Sequence, residues 1–469
     1  MCNAVMRDIK DTIAAISTPP GEGALAVVRL SGNRALPLAA MAFRGKSGLE
    51  SVPSHTLHVG TLLSASGTAI DTVVASVYRS PHSYTGEDVV EFSTHGGYYV
   101  ARRALEELIS RGARLAEPGE FTFRAFLNGR LDLAQAEAVA DLIASRTERS
   151  HAASLRQLEG DLSREVKGIR DDLVELCGLL EVELDFSDED LEFIDRREMK
   201  KKFASAIARL HGLLSSYAAG RLIHDGVRVA IVGSPNVGKS SLLNALTREE
   251  RAIVSSAPGT TRDTIEVELN IGGILFRVVD TAGLRESVDD IEVEGIRRAY
   301  RQIRTADIVL LVIDASRPPI DGEVELLRRM TEDGTIQRLL LIRNKSDLPV
   351  SEEWSDEGSS FLDRLESVSV SALKGDGLDS LNEKLLKMSV GDTQSSESHP
   401  LLVSARHKDA VERAMSALQM SLRSLEEERG GEFICVDLRN SIDSLGEIIG
   451  VVTTDDILAN IFSKFCVGK

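Results

Sequence analysis

Residues 227–246 read VRVAIVGSPNVGKSSLLNAL. A β-branched apolar run passes through a glycine-bearing loop into a segment with helical apolar spacing. Gly233, Gly238, Lys239 and Ser240 fill the pattern G-x-x-x-x-G-K-[ST], in the strand–loop–helix context that the pattern requires. The glycines let main-chain N–H groups curl around phosphate oxygens, and the helix amino end adds a favourable dipole. Lys239 reaches the β- and γ-phosphates as a point charge. The Ser240 hydroxyl suits Mg²⁺, which prefers hard oxygen ligands. Asn236, Val237 and Ser241 complete the expected contacts of this loop.

The next chemistry downstream selects the nucleotide. NKSD, Asn344 to Asp347, ends the apolar run RLLLIRNK about a hundred residues beyond the loop. A carboxylate there accepts paired hydrogen bonds from the ring N–H and exocyclic amine of guanine, a pair that adenine does not offer. Lys345 belongs to the same element. Ser371, Ala372 and Leu373, in SVSVSALKGDG, are placed to offer backbone donors to the guanine carbonyl. GTP and GDP are therefore the expected ligands. Asp280, Thr281, Ala282 and Gly283 form a D-x-x-G element, with an acid for Mg²⁺ through water and an N–H for the γ-phosphate. Thr261, in PGTTRD, is the candidate second Mg²⁺ ligand, ordered by the γ-phosphate; together these are switch parts.

The water-orienting group is less readily assigned. Where many GTPases carry glutamine after D-x-x-G, this chain has Leu284, which has no polar side-chain atom. Glu286, Asp289, Asp290, Glu292 and Glu294 follow, and spacing does not choose among them. Arg262 and Arg285 lie nearby without marking an arginine finger. A bound monovalent cation, with the Asn236 side-chain oxygen as a ligand, is an alternative source of positive charge.

The chain has 469 residues, enough for two to four domains. Its formal net charge of -18 argues against a general nucleic-acid coat, since such affinity comes from Lys and Arg neutralising phosphates. Cys2, Cys177, Cys435 and Cys466 are scattered without C-x-x-C, which supports neither a disulfide framework nor a zinc site. No signal-peptide core and no run of ~20 apolar residues is present, so a soluble, cytoplasmic setting without membrane contact is expected.

Three textures predict the organisation. Residues 1–119 alternate β-branched runs with Gly/Pro breaks and one helix, an α+β domain. Residues 120–224 carry apolar residues at three- and four-residue spacing, the first part of a helical domain. Residues 225–390 alternate short apolar runs with helical segments, an α/β domain with a parallel sheet. Residues 391–469 form the second part of the helical domain, opening with the polar linker GDTQSSESHP and returning to helix from about residue 401. The fold class expected is multidomain, with a discontinuous helical domain interrupted by an inserted Ras-like α/β P-loop GTPase domain.

Taken together, GSPNVGKSSLLNAL, APGTTRDTIE, DTAGLRE and NKSD resemble the potassium-activated GTPases related to translation factors. The flanking SYTGEDVVEFSTHGG, EPGEFTFRAFLNGRLDLAQAEAVADLI and terminal FCVGK resemble one family nearly end to end, the tRNA-modification GTPase MnmE (TrmE). That resemblance implies Glu292 as general base. It implies K⁺ held by Asn236 and the carbonyls of Ser255, Ala257 and Thr260, with Ser256, Pro258 and Gly259 completing a GTP-facing loop. It implies a folate-binding-like N-terminal domain that also dimerises, holding 5-formyl- or methylene-tetrahydrofolate through Arg29, Glu91, Arg130 and Lys469. Arg130 departs from the lysine common in the family, and the two differ in geometry and hydration. Cys466 falls beside that pocket, where it is either a catalytic thiol or a small packing residue. The expected assembly is a homodimer, forming a heterotetramer with an FAD-containing MnmG-like protein and acting on the wobble uridine of certain tRNAs. The rival expectation is a ribosome-assembly or regulatory switch GTPase without a modification role.

Overall fold

Alternation of apolar and polar residues decides which face of the first sheet is buried. The computed structural model describes residues 11–185, 195–249, 266–280, 304–318, 338–351, 365–390 and 400–469. β1 (Ile13–Ile16), β2 (Leu25–Ser31), β3 (Phe43–Gly45), β4 (Thr56–Leu63), β5 (Ala69–Tyr78), β6 (Val89–His95) and β7 (Arg114–Leu115) form a seven-stranded sheet in the order β3-β4-β5-β6-β2-β1-β7. Ala26, Val28 and Leu30 of β2, Val90 and Phe92 of β6, and Val73, Ala75 and Val77 of β5 point one way. They pack under α1 (Ala35–Ala42) and α2 (Tyr98–Ser110). Because successive side chains alternate, Arg29 and Glu91, a directly paired couple of β2 and β6, share the other face.

Long helices follow, as the spacing predicts: α3 (Glu120–Leu127), α4 (Leu133–Ala144), α5 (Glu148–Leu158), α6 (Asp161–Asp185) and α7 (Arg196–Asp225). α6 buries Leu162, Val166, Ile169, Leu173, Leu176 and Leu180, one apolar stripe at three- and four-residue steps.

The second sheet comprises β8 (Val227–Val232), β9 (Glu266–Ile271), β10 (Ile274–Asp280), β11 (Ile308–Asp314), β12 (Leu339–Asn344) and β13 (Ser367–Val370), in the order β13-β12-β11-β8-β10-β9. α8 (Lys239–Glu249) and α9 (Leu378–Val390) contribute to its core. β11 is buried along its whole length, the pattern of a central parallel strand covered on both faces. The sheet is parallel except for β9, which runs antiparallel to β10, whereas a parallel sheet was expected. The cause is Gly272–Gly273, a two-residue turn with φ of 55° and 80°; both values suit glycine and the primed hairpin turns.

Three helices close the chain: α10 (Ala405–Glu426), α11 (Gly431–Ile449), which packs along α6, and α12 (Asp455–Phe462). Two compact units result, one from Met1–Ile143, Leu155–Leu210 and Asp409–Lys469, the other from Ala144–Ser154 and His211–Lys408. The α/β unit is thus inserted in sequence between helices of the first. Among the described residues, no helix is long and apolar enough to cross a membrane.

Candidate functional site

The phosphate loop joins β8 to α8 in a conformation that its glycines make possible. Gly233 has φ 153°, and a Cβ there would fall on the Val312 carbonyl oxygen; Gly238 has φ 99°, and a Cβ would fall on the Asn344 amide. Only glycine fits either place without displacing backbone or a buried side chain. Asn236 between them is left-handed, at φ 64°, a conformation that asparagine tolerates better than most residues. Lys239 begins α8 and donates from Nζ to the carbonyls of Gly233 and Ser234, both at 2.8 Å. Its ammonium is therefore held across the mouth of the loop. Ser240 is exposed in the same first turn and offers the hard oxygen that Mg²⁺ chemistry calls for.

Asn344 ties this loop to the base-recognition side. It is 2% exposed; its Nδ2 donates to the Val237 carbonyl at 2.8 Å, and its Oδ1 accepts the Ala372 N–H at 3.1 Å. Lys345, left-handed at φ 62°, donates to Asp314 Oδ2 at 2.5 Å. Asp314, at the end of β11, also accepts from the Ser316 N–H and hydroxyl. Burial would raise the Asp314 carboxyl, but the bonds from Lys345 and Ser316 outweigh it and hold the group below its ordinary range. The Ser371 hydroxyl donates to Asp347 Oδ1 at 2.7 Å, and this bond depresses the Asp347 pKa, keeping it an ionised acceptor. Of the three expected backbone donors, Ser371 donates to Asp376 and Ala372 to Asn344. The Leu373 N–H has no partner among the described residues, and its side chain is 86% exposed.

Ser255, Ser256, Ala257, Pro258, Gly259, Thr260, Thr261, Thr281, Ala282, Gly283 and Glu292 lie outside the described residues, as does the side chain of Asp280.

A second cluster forms on the face of the first sheet opposite α1 and α2. Arg29 donates from Nε to Glu91 Oε1 at 2.7 Å. The chain's last residues run past it. Val467 bridges Pro118, Gly119 donates to the Cys466 carbonyl, Ser17 Oγ donates to the Gly468 carbonyl, and Phe121 donates to the Lys469 carbonyl. Phe462 and Phe465 anchor this tail against Phe123. Burial, and then the charge of Arg29, push the Lys469 amine below its ordinary pKa, with Glu91 opposing. Arg29, Glu91 and Lys469 are thus brought together from β2, β6 and the tail. Arg130 stands in an exposed turn after α3, where its side chain has no ionic partner among the described residues. Cys466 is exposed in this chain, unlike the buried Cys177 and Cys435.

Two groups around Arg29 carried no sequence signal. The Arg29 guanidinium carbon lies 5.4 Å from the Tyr84 ring centroid and 5.5 Å from that of Phe121. The Arg29 Nη1 atom is buried without a hydrogen-bond partner among the described residues. A buried donor left unmatched costs about 1–3 kcal/mol, so the arrangement fits a ligand that supplies an acceptor there.

Comparison with known proteins identifies the family. The profile described as the MnmE helical domain matches residues 133–466, and that described as the GTP-binding protein TrmE N-terminus matches residues 12–130. A Salinibacter ruber protein named tRNA modification GTPase MnmE is 45% identical over 98% of this chain and 99% of its own. One of the same name from Moorella thermoacetica is 45% identical over 98% of this chain and 100% of its own. Among solved structures, the G domain of the T. maritima FeoB iron transporter is 30% identical, covering 34% of this chain and 98% of its own, with a TM-score of 0.26. The phosphate loop, the guanine-side residues and near end-to-end identity place this chain in the tRNA modification GTPase MnmE family.

Proposed function

We propose that this GTPase takes part in aminomethyl-type modification at C5 of the wobble uridine of certain tRNAs, working in the cytoplasm as a homodimer with an FAD-containing MnmG-like partner. The observation that carries the reading is the coexistence in one chain of a guanine-nucleotide loop and the Arg29–Glu91–Lys469 cluster, within a family of tRNA-modifying enzymes.

In the nucleotide site, Lys239 would exchange its two carbonyl partners for β- and γ-phosphate oxygens, and the loop amides would hold the remaining oxygens. Asp347 would accept the two guanine N–H groups. Ser240 and Thr261 would hold Mg²⁺, and Asn236 with the carbonyls of Ser255, Ala257 and Thr260 would hold K⁺. Those cations, when bound, supply fixed positive charge where the transferring phosphoryl group develops negative charge. With Leu284 unable to orient water, Glu292 would accept the attacking water's proton.

In the N-terminal pocket, Arg29, Glu91 and Lys469 would bind 5-formyl- or methylene-tetrahydrofolate, which supplies a one-carbon unit when bound. The buried Nη1 and the partly desolvated Lys469 suit a ligand with acceptor atoms. Arg130 would approach the same ligand from its exposed turn. Cys466, exposed on the docked tail, is the candidate thiol for chemistry on the base.

The test is deletion of the gene followed by nucleoside analysis of bulk tRNA. Loss of the modified wobble uridine, restored by the wild-type chain, is expected. Unchanged wobble uridines would leave only a regulatory or ribosome-assembly GTPase.

A further inference from the structure

The Arg29 guanidinium is constrained on more sides than its ion pair explains. Glu91 holds Nε at 2.7 Å. The rings of Tyr84 and Phe121 both lie within cation–π range of the guanidinium carbon, at 5.4 and 5.5 Å. Each ring is itself fixed. Tyr84 is hydrogen-bonded through its hydroxyl to Thr122 Oγ1 at 2.8 Å, and Phe121 is fully buried. Thr122 and Phe121 are consecutive residues of α3, so the helix sets both aromatic positions together. The Phe121 N–H also donates to the Lys469 carbonyl, so the residue that contacts Arg29 also holds the tail that delivers Lys469.

We infer that Tyr84 and Phe121 are positioning residues that clamp the Arg29 guanidinium, with Glu91, so that its buried Nη1 points to a ligand acceptor atom. An arginine side chain has several rotatable bonds, and a free one would turn Nη1 toward water or Glu91. Rings on the guanidinium remove that freedom before the ligand arrives, which lowers the ordering cost of binding.

The choice of 5-formyl-tetrahydrofolate as probe rests on the folate reading above, whereas the clamp has a readout that does not. In the full chain, phenylglyoxal modification of Arg29 is followed by peptide mass spectrometry, and 5-formyl-tetrahydrofolate affinity by calorimetry. Tyr84→Leu is expected to raise Arg29 modification and weaken folate binding, each about tenfold, the scale of one such contact. Tyr84→Phe keeps the ring but loses the Thr122 bond that helps to fix it, and is expected to fall between wild type and the leucine variant on both measures, a rescue that a role for the hydroxyl alone would not give. Tyr84→Met, closer in volume, replaces the leucine variant if that one does not fold by circular dichroism. Unaltered Arg29 reactivity and affinity in the non-aromatic variant would overturn the proposal, as would an equal loss in Tyr84→Phe. If the wild-type chain ignores folate while Arg29 protection still depends on the ring, the clamp stands and the folate reading falls.

Discussion

Gly468 decides where the last side chain of this chain points. Its φ is 100°, and a Cβ would fall on the Ile16 carbonyl oxygen of β1. An alanine there faces about 1–2 kcal/mol of left-handed strain before the steric conflict with backbone is counted. Gly468→Ala is therefore expected to lift the tail from β1 and misplace Lys469. Tetrahydrofolate affinity should fall about tenfold or more while GTP affinity holds, both measurable on one preparation. The cysteines separate at the same scale. Burial, with the Glu181 carboxylate behind it, pushes the Cys177 thiol up to about 12, and burial raises Cys435 as well, whereas Cys466 is exposed. A group with a raised thiol pKa stays protonated, hence unreactive, until the pH approaches that value. Iodoacetamide at pH 8 should label Cys466 within minutes and leave Cys177 and Cys435 unmodified in the native chain, as read by peptide mapping. Sequence placed Cys466 near a pocket through resemblance alone. It offered nothing on exposure, because FCVGK has no periodicity to show which of its side chains faces inward.

At the level of elements, the NKSD turn divides its work between structure and recognition. Asn344 bridges the phosphate loop and the SAL turn with both ends of its amide, and Asn344→Ala leaves a buried carbonyl and an N–H unmatched. At about 1–3 kcal/mol for each, GTP affinity and thermal midpoint should fall together. The Asp347 carboxylate accepts from the Ser371 hydroxyl and is half-buried, so Asp347→Asn, which keeps its shape, should change the midpoint little. The amide replaces an acceptor with a donor. Preference should accordingly move from guanine toward xanthine, whose C2 carries an oxygen where guanine has an amine, as competition binding would report. Sequence made the NKSD and phosphate-loop residues legible because each rests on a short local pattern; Thr281, Ala282 and Gly283 of the D-x-x-G element lie outside the described residues. Asp314 was not legible: it meets Lys345 only after β11 and β12 align, and nothing local distinguishes it from any acid at a strand end. Tyr84 and Phe121 were hidden likewise, 37 residues apart and joined only through Arg29. The antiparallel β9 was within reach, since IGGI carries a two-glycine hairpin signal between apolar runs; reading the alternation as uniformly parallel obscured it.

For the molecule as a whole, the central question is how a GTPase with leucine at the glutamine position reaches a useful rate. An arginine finger contributes roughly 10³–10⁵ elsewhere, and the described part of the phosphate loop presents instead an exposed, left-handed Asn236. A side-chain amide oxygen is a neutral donor that suits a monovalent ion, whose size then matters because donor oxygens must replace its water shell without collapsing on it. K⁺ should therefore raise GTP hydrolysis at least about tenfold over Na⁺ at equal ionic strength. Equal ionic strength matters in a chain of net charge -18, because general screening would otherwise change with the salt. If the cation site is completed only when two GTP-bound copies meet, turnover per molecule should also climb with protein concentration in K⁺ and stay flat in Na⁺. Asn236→Ala should then bind GTP nearly as wild type yet lose the difference between the two salts, because in the proposed arrangement the amide oxygen would serve the cation and not the phosphates. Identical rates in K⁺ and Na⁺ for the wild-type chain would take Asn236 out of that role and return the catalytic charge to Arg262, Arg285 or a partner protein.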